Sequence, residues 1–151
     1  MKLVVQRVLR AAVRVEGVLL ASIDRGMLVL CGVAHGDTVE DARYLARKTQ
    51  QLRIFDDGGG KMNLAASDVG GAFLVVSQFT LYGDCVKGNR PSYIEAAPPA
   101  DGERGYEAYV AALREGGAAV QTGQFRAMME VELVNDGPVT LILESRGRTN
   151  A

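Results

Sequence analysis

A chain of 151 residues, 48% hydrophobic and 23% charged, has apolar material for one core and fits one domain. No apolar run approaches the roughly 18 residues of a membrane helix. Arg7 and Arg10 interrupt the stretch where a signal peptide would lie, so the expected location is the cytoplasm, with no membrane partner. The formal net charge of −1 excludes a global basic signature of nucleic-acid binding. Residues 1–53 nevertheless carry about +4 and the remainder about −5, which fits either a basic face toward RNA or ordinary surface scatter.

Residues 2–9 and 12–15 are Val-rich with Arg interleaved and read as extended. Val18–Ile23 and Met27–Val33 read as strands, with Asp24-Arg25-Gly26 between them as a hairpin-type turn. The pattern then predicts a helix from about Thr38 to Leu52. Asp37 is its expected N-cap, Glu40 closes a capping box, and Val39, Ala42, Leu45, Ala46, Thr49 and Leu52 form its inner stripe. Asp56-Asp57-Gly58-Gly59-Gly60 is a turn and Phe73–Phe79 a buried strand. Residues 83–100, with Gly83, Gly88, Pro91, Pro98 and Pro99, read as loop. A second helix is predicted from about Gly102 to Glu115, with Tyr106, Tyr109, Val110 and Leu113 on one face and Gly116-Gly117 as its stop. Met128–Val134 and Val139–Glu144 read as strands joined at Asn135-Asp136-Gly137-Pro138. The sum is an α+β domain, a mostly antiparallel, barrel-like sheet with about two helices.

Several chemistries are absent. There is no G-x-S-x-G elbow, H-E-x-x-H or C-x-x-C, and Gly58-Gly59-Gly60-Lys61 fails the Walker spacing because position 55 is Phe. His35 is the only histidine, follows a strand, and reads as a surface loop residue; a triad would have to use it. Cys31 and Cys85 are far apart in sequence and read as free thiols in a reducing compartment, although they could pair. An enzyme built on this chain works with hydroxyls, amides, backbone groups and its substrate.

Two segments stand out. In Ser77-Gln78-Phe79-Thr80-Leu81-Tyr82 a buried apolar strand runs into polar side chains, where free N–H groups can stabilise an oxyanion or where Ser, Gln and Thr merely finish a strand. Asn135-Asp136-Gly137-Pro138-Val139-Thr140 reads locally as a hairpin turn with an ordinary trans proline.

These segments sit in a longer ordered set: Val4-Val5-Gln6-Arg7-Val8, Leu52-Arg53-Ile54-Phe55, Gly60-Lys61-Met62-Asn63-Leu64, Lys87-Gly88-Asn89-Arg90-Pro91-Ser92 and Ala96-Ala97-Pro98-Pro99. Together, collinear over nearly the whole chain, they resemble the D-aminoacyl-tRNA deacylase family. The resemblance implies one domain over 1–145, with 146–151 a variable tail. It implies a homodimer with active sites at the subunit interface, acting on the 3′ end of D-aminoacyl-tRNA and needing no metal or organic cofactor. Ser77, Gln78, Phe79 and Thr80 of one subunit would face a cis Gly137-Pro138 of the other, whose carbonyls reject L side chains and admit D-amino acids and glycine. Arg7 would brace that turn, and Met129 would lie near the substrate. The backbone N–H groups of Phe79 and Thr80 would hold the oxyanion. Thr80 could be a nucleophile, but no base is evident beside it, which favours help from the adenosine 2′-OH. A relative that clears L-alanine, a non-catalytic RNA-binding module, and a triad hydrolase built on His35 are the alternatives; Phe79 in the strand-end motif favours the D-specific branch.

Overall fold

The Val-rich N-terminal sequence forms a single 14-residue strand, β1 (Lys2–Val15), with Leu3, Val5, Val8, Ala11 and Val13 buried. The computed structural model describes residues 1–146. β1 turns at Glu16-Gly17 into β2 (Val18–Ile23); both turn residues have positive φ, 50° and 76°, as a two-residue hairpin with right-handed twist requires. β3 (Gly26–Gly32) follows. The pairs Ala11↔Ile23 and Val8↔Gly26 continue one antiparallel register. Asp24-Arg25 is therefore not the expected hairpin turn. It is a short break between two strands that share one edge of β1, which is long enough to pair with both. β8 occupies the other edge.

Helix α1 (Val39–Gln51) begins one residue later than expected, because Thr38 and not Asp37 is its N-cap, with Asp41 rather than Glu40 completing the capping box. The Asp37 carboxylate is engaged elsewhere: Oδ2 accepts from Ala34 N at 2.6 Å and meets the Met1 ammonium at 2.7 Å. Ala42, Leu45, Ala46 and Thr49 face inward as expected, whereas Val39 is exposed, lying in the first turn beyond the edge of the core. A two-stranded hairpin, β4 (Phe55–Asp56) and β5 (Met62–Leu64), carries Phe55 into the core.

β6 (Ala72–Ser77) lies parallel to β3, so close at Gly26 that a Cβ there would stand 1.9 Å from the carbonyl oxygen of Ala72. α2 (Pro99–Glu115) starts three residues before the expected Gly102, because Pro99 supplies the preset φ of a first helical position and Pro98 caps it. Tyr106, Tyr109, Val110 and Leu113 are buried as the periodicity indicated. Tyr109 donates to Thr49 Oγ1 at 2.9 Å and Gln50 donates to Leu113 O at 2.9 Å, tying α2 to α1. β7 (Val120–Thr122) adds to β6 in parallel.

β8 (Glu130–Glu144) is one strand, antiparallel to β1 along its whole length. Asn135–Pro138 is thus not a hairpin turn. The register passes from Gln6↔Thr140 to Val8↔Asn135, so Arg7 alone faces residues 136–139 in a bulge. The result is a six-stranded, mostly antiparallel, barrel-like sheet with two helices on one face. One core lies under the helices around Leu3, Val29, Leu45, Phe55, Phe73 and Tyr109; a second, around Val8, Val13, Ile23, Leu28 and Val76, fills the opposite concave face. No helix among the described residues is long and apolar enough to cross a membrane. The expected tail 146–151 lies, but for Arg146, outside the described residues.

Candidate active site

The buried run of β6 stops at Ser77, two residues short of the expected Phe79. Gln78 (φ −145°, ψ 76°) leaves the strand, its N–H still bonded to Cys31 O at 2.8 Å, and Phe79–Tyr82 wind into a 3-10 turn. The first N–H groups of such a turn have no intrahelical acceptor, and no side chain caps this one. The N–H groups of Phe79 and Thr80 are those donors. Gln78 Nε2 donates to Thr80 Oγ1, which fixes both side chains.

Ser77, Gln78 and the exposed Phe79 line a cleft of about 620 Å³, a size usual for small-molecule sites, whereas Thr80 is exposed beside it and is not among its lining residues. Its walls come from β6, from the start of α2 (Pro99, Gly102, Tyr106) and from the loop and strand start at Phe125–Val131, which includes Met129. Phe79 meets Tyr93, another lining residue, edge to face with ring centres 5.0 Å apart. No histidine or carboxylate lines the cleft among the described residues. Burial pushes the Cys31 thiol up to about 12 and raises the Tyr106 phenol, which donates to Val75 O at 2.9 Å. Neither group is a base near neutrality. His35 is exposed and lines a different, smaller recess beside α1 and α2. Both cysteines are free, Cys31 buried and Cys85 exposed. Among the described residues no group of three His, Cys, Asp or Glu side chains could hold a metal ion.

Gly137, Pro138 and Arg7 lie elsewhere. The Gly137–Pro138 bond is cis, as the resemblance implied and against the local reading. Arg7 is 6% exposed and reaches from β1 to the bulge. Its Nε donates to Asp136 O (3.3 Å) and pairs with Asp136 Oδ2 (3.1 Å), while Nη1 donates to Ile54 O (2.6 Å) and lies 3.4 Å from Asp56 Oδ1. A Cβ at position 137 would stand 3.1 Å from Arg7 Nη2, so glycine lets the guanidinium approach. Asn135 closes the bulge, donating to Arg7 O and Val139 O at 2.9 and 3.0 Å. From Gly137 to Ser77 the sheet is crossed through Arg7↔Met27 and Met27↔Phe73 and then followed for four residues. At ordinary strand spacing and rise that path is about 20 Å.

Sequence reading singled out Ser77–Phe79 and, through the resemblance, Met129, but read the bulge as a hairpin turn and missed Tyr93, Phe125 and Arg126, which come together only through the packing of α2 and the loop before β8. The Pro98-Pro99 pair was the available signal, since it marks the helix start that forms one wall.

Residues 4–144 match the family model described as D-Tyr-tRNA(Tyr) deacylase. The chain is 57% identical over 146 residues to the D-aminoacyl-tRNA deacylase of Halalkalibacterium halodurans, covering 97% of this chain and all (100%) of that one. It is 60% identical to the D-aminoacyl-tRNA deacylase of Anaeromyxobacter dehalogenans, over 97% and 98% of the two chains. A solved structure of a c-Myc DNA Unwinding Element Binding Protein superposes with a TM-score of 0.90 at 40% identity, over 95% of this chain and 98% of that one. One described as a probable eukaryotic D-amino acid tRNA deacylase, 17% identical, shares the fold with a TM-score of 0.78 over the same shares.

Proposed function

The chain belongs to the D-Tyr-tRNA(Tyr) deacylase family, and we propose that it hydrolyses the ester joining a D-amino acid to the terminal adenosine of tRNA. The observation that carries this reading is the cleft at Ser77-Gln78-Phe79, floored by unpartnered backbone donors. Water attacks the ester carbonyl, and the N–H groups of Phe79 and Thr80 receive the oxyanion, each such donor contributing ~3–4 kcal/mol. The intermediate then collapses with cleavage of the bond from the acyl carbon to the ribose 3′ oxygen, which takes up the proton lost by the water and leaves as the free tRNA hydroxyl, releasing the D-amino acid. Gln78 holds Thr80, and Ser77 and Met129 line the substrate. The cleft offers no histidine or carboxylate as a base, which supports assistance by the ribose 2′-OH and a backbone role for Thr80.

Stereochemistry is assigned to the carbonyls of Gly137 and Pro138, presented by the bulge that Arg7 holds. An L side chain collides with them; a D side chain, or the single hydrogen of glycine, does not. In one chain the two segments are separated by three strand steps and lie on different parts of the sheet, which supports a gate supplied by a second copy. The reading is then a homodimer in the cytoplasm, with no cofactor. Sedimentation at micromolar concentration should give about twice 16.1 kDa; an active monomer would refute the shared site.

The functional test is deacylation of D-Tyr-tRNA against L-Tyr-tRNA by purified protein. Cleavage of D with L spared supports the assignment, and efficient cleavage of L defeats it. A structural relative named for binding a DNA element favours a second reading, a nucleic-acid-binding module without catalysis; binding of tRNA with no turnover of any ester would establish that one.

A further inference from the structure

Among the described residues the cleft lining contains a single formally charged one, Arg126. Three observations set it apart. Its backbone is left-handed, φ 63°, one of two non-glycine residues so held among the described residues, in a region that glycine enters freely and side chains do not. Its guanidinium makes no ion pair or hydrogen bond among the described residues. No carboxylate on the cleft wall neutralises it. The segment that carries it is not slack: Gly123 N bonds Val75 O at 3.0 Å, Ala127 N bonds Gln124 O at 3.2 Å, and the Phe125 ring packs 6.1 Å from that of Tyr106. A left-handed residue in an otherwise well-tied loop, presenting an unpaired cation to an apolar cleft, points to an anionic ligand.

Building on the deacylase reading of this cleft, we propose that Arg126 binds a backbone phosphate of the tRNA 3′ end, the one attached to the 5′ oxygen of the terminal adenosine. On the deacylase reading the ester carbonyl lies at the N–H groups of Phe79, on the cleft lining, and of Thr80 beside it. The nucleotide then lies along the cleft, whose lining also carries Tyr93 and Arg126, and its phosphate is the fixed negative charge common to every tRNA substrate. A guanidinium fork suits two phosphate oxygens. The contact positions the substrate without touching the reacting atoms and gives affinity independent of the amino acid. The other anion that could enter the cleft is the side chain of a D-aspartyl or D-glutamyl ester, and the test separates the two.

The test compares wild type, Arg126→Gly and Arg126→Lys on D-Tyr-tRNA, on 3′-D-tyrosyl-adenosine 5′-monophosphate, on 3′-D-tyrosyl-adenosine without phosphate, and on D-Asp-tRNA. Glycine suits φ 63°, so the Arg126→Gly protein should melt at or above the wild-type temperature, which separates the lost charge from lost fold. Arg126→Gly should raise KM about tenfold for D-Tyr-tRNA and the monophosphate with kcat within about twofold, leave the phosphate-free ester unchanged, and lower the slope of log KM against log salt by about 0.7. Arg126→Lys should recover most of the loss. Equal effects with and without the phosphate, no effect on any substrate, or a loss confined to D-Asp-tRNA would overturn the proposal while the deacylase reading stood. Failure of wild type to cleave any of the four would overturn both.

Discussion

Arg7→Met should loosen the bulge and measurably destabilise the protein. The side chain is 6% exposed and joins β1 to two distant segments, Ile54–Asp56 and the bulge at Asp136. The bond from Nη1 to the carbonyl of Ile54, at 2.6 Å and buried, is charge-assisted and contributes ~1.5–3 kcal/mol. The longer one to Asp136 O, at 3.3 Å, adds about 1 kcal/mol. The ion pairs add little, because the side chains of Asp136 and Asp56 are 32% and 51% exposed and water takes over once the cation is gone. Methionine fills most of the stem volume, so the cavity cost is small. The expected loss is about 3 kcal/mol, or roughly 6–12 °C in Tm for a chain of this size. Urea denaturation at a fixed protomer concentration measures it. Arg7→Lys should recover about half, since a point charge cannot serve Ile54 and Asp136 together. Turnover of D-Tyr-tRNA should fall more in Arg7→Met than in Arg7→Lys. An Arg7→Met protein within about 0.5 kcal/mol of wild type would refute the view that Arg7 holds the bulge.

His35→Ala should leave turnover nearly unchanged; loss of a general base would cost ~10²–10⁴-fold, and a decrease of that size with the fold intact would restore a triad built on His35. Thr80→Ala keeps the N–H and loses only the hydroxyl that Gln78 holds, so most activity should survive; an acyl-Thr80 adduct found by mass spectrometry would instead make Thr80 the nucleophile. Stability should fall at alkaline pH. Cys31 is raised from 9.0 to about 12, so the folded protein keeps a proton that the unfolded chain releases. The stabilisation is complete below about pH 9 and is lost between about 9 and about 12, at up to ~1.4 kcal/mol per pH unit. Burial also raises Tyr109, which steepens the fall above its ordinary 10.0. Cys31→Ala should flatten the part of the denaturation profile that begins near pH 9; an unaltered profile would show that the thiol is not the titrating group.

Much of the fold was legible because its main elements obey simple periods. The stripe Tyr106, Tyr109, Val110 and Leu113 is one helical face, and Phe73–Ser77 is a continuous apolar strand because helices and the concave core cover both sides. The errors share a cause. Asp24-Arg25-Gly26 and Asn135-Asp136-Gly137-Pro138 carry turn chemistry, and turn residues report a local departure from extended backbone without saying whether the chain reverses. In one place it continues along the same edge of β1 and in the other it bulges. Only the 14-residue length of β1, able to pair with β2, β3 and β8, decides between reversal and continuation. Thr38 displaced Asp37 as the cap for a similar reason: both are good capping residues, and the bonds of Asp37 to the distant Met1 ammonium and to Ala34 N settled the competition.

The site was legible as segments and not as a cavity. Beyond Met129, which the resemblance placed near the substrate, nothing in Gly123–Met129 marks a wall, yet that loop supplies the one charged residue of the cleft among the described residues. The poverty of the remaining lining fits the proposed chemistry. An aminoacyl ester is a reactive acyl group with a ribose hydroxyl beside it, and its hydrolysis needs charge stabilisation more than a strong base. Two backbone donors at ~3 kcal/mol each would supply about 6 kcal/mol, roughly a 10⁴-fold acceleration, before any positioning is counted. Because such donors exist on every residue, selection acts on what holds the backbone in place, here the Gln78–Cys31 bond that ends β6 and the Gln78–Thr80 bond that fixes the turn. The same reasoning applies to the proposed gate. Carbonyls that exclude by position need a rigid brace rather than a reactive group, and a buried arginine bonded at once to Ile54 and Asp136 is such a brace.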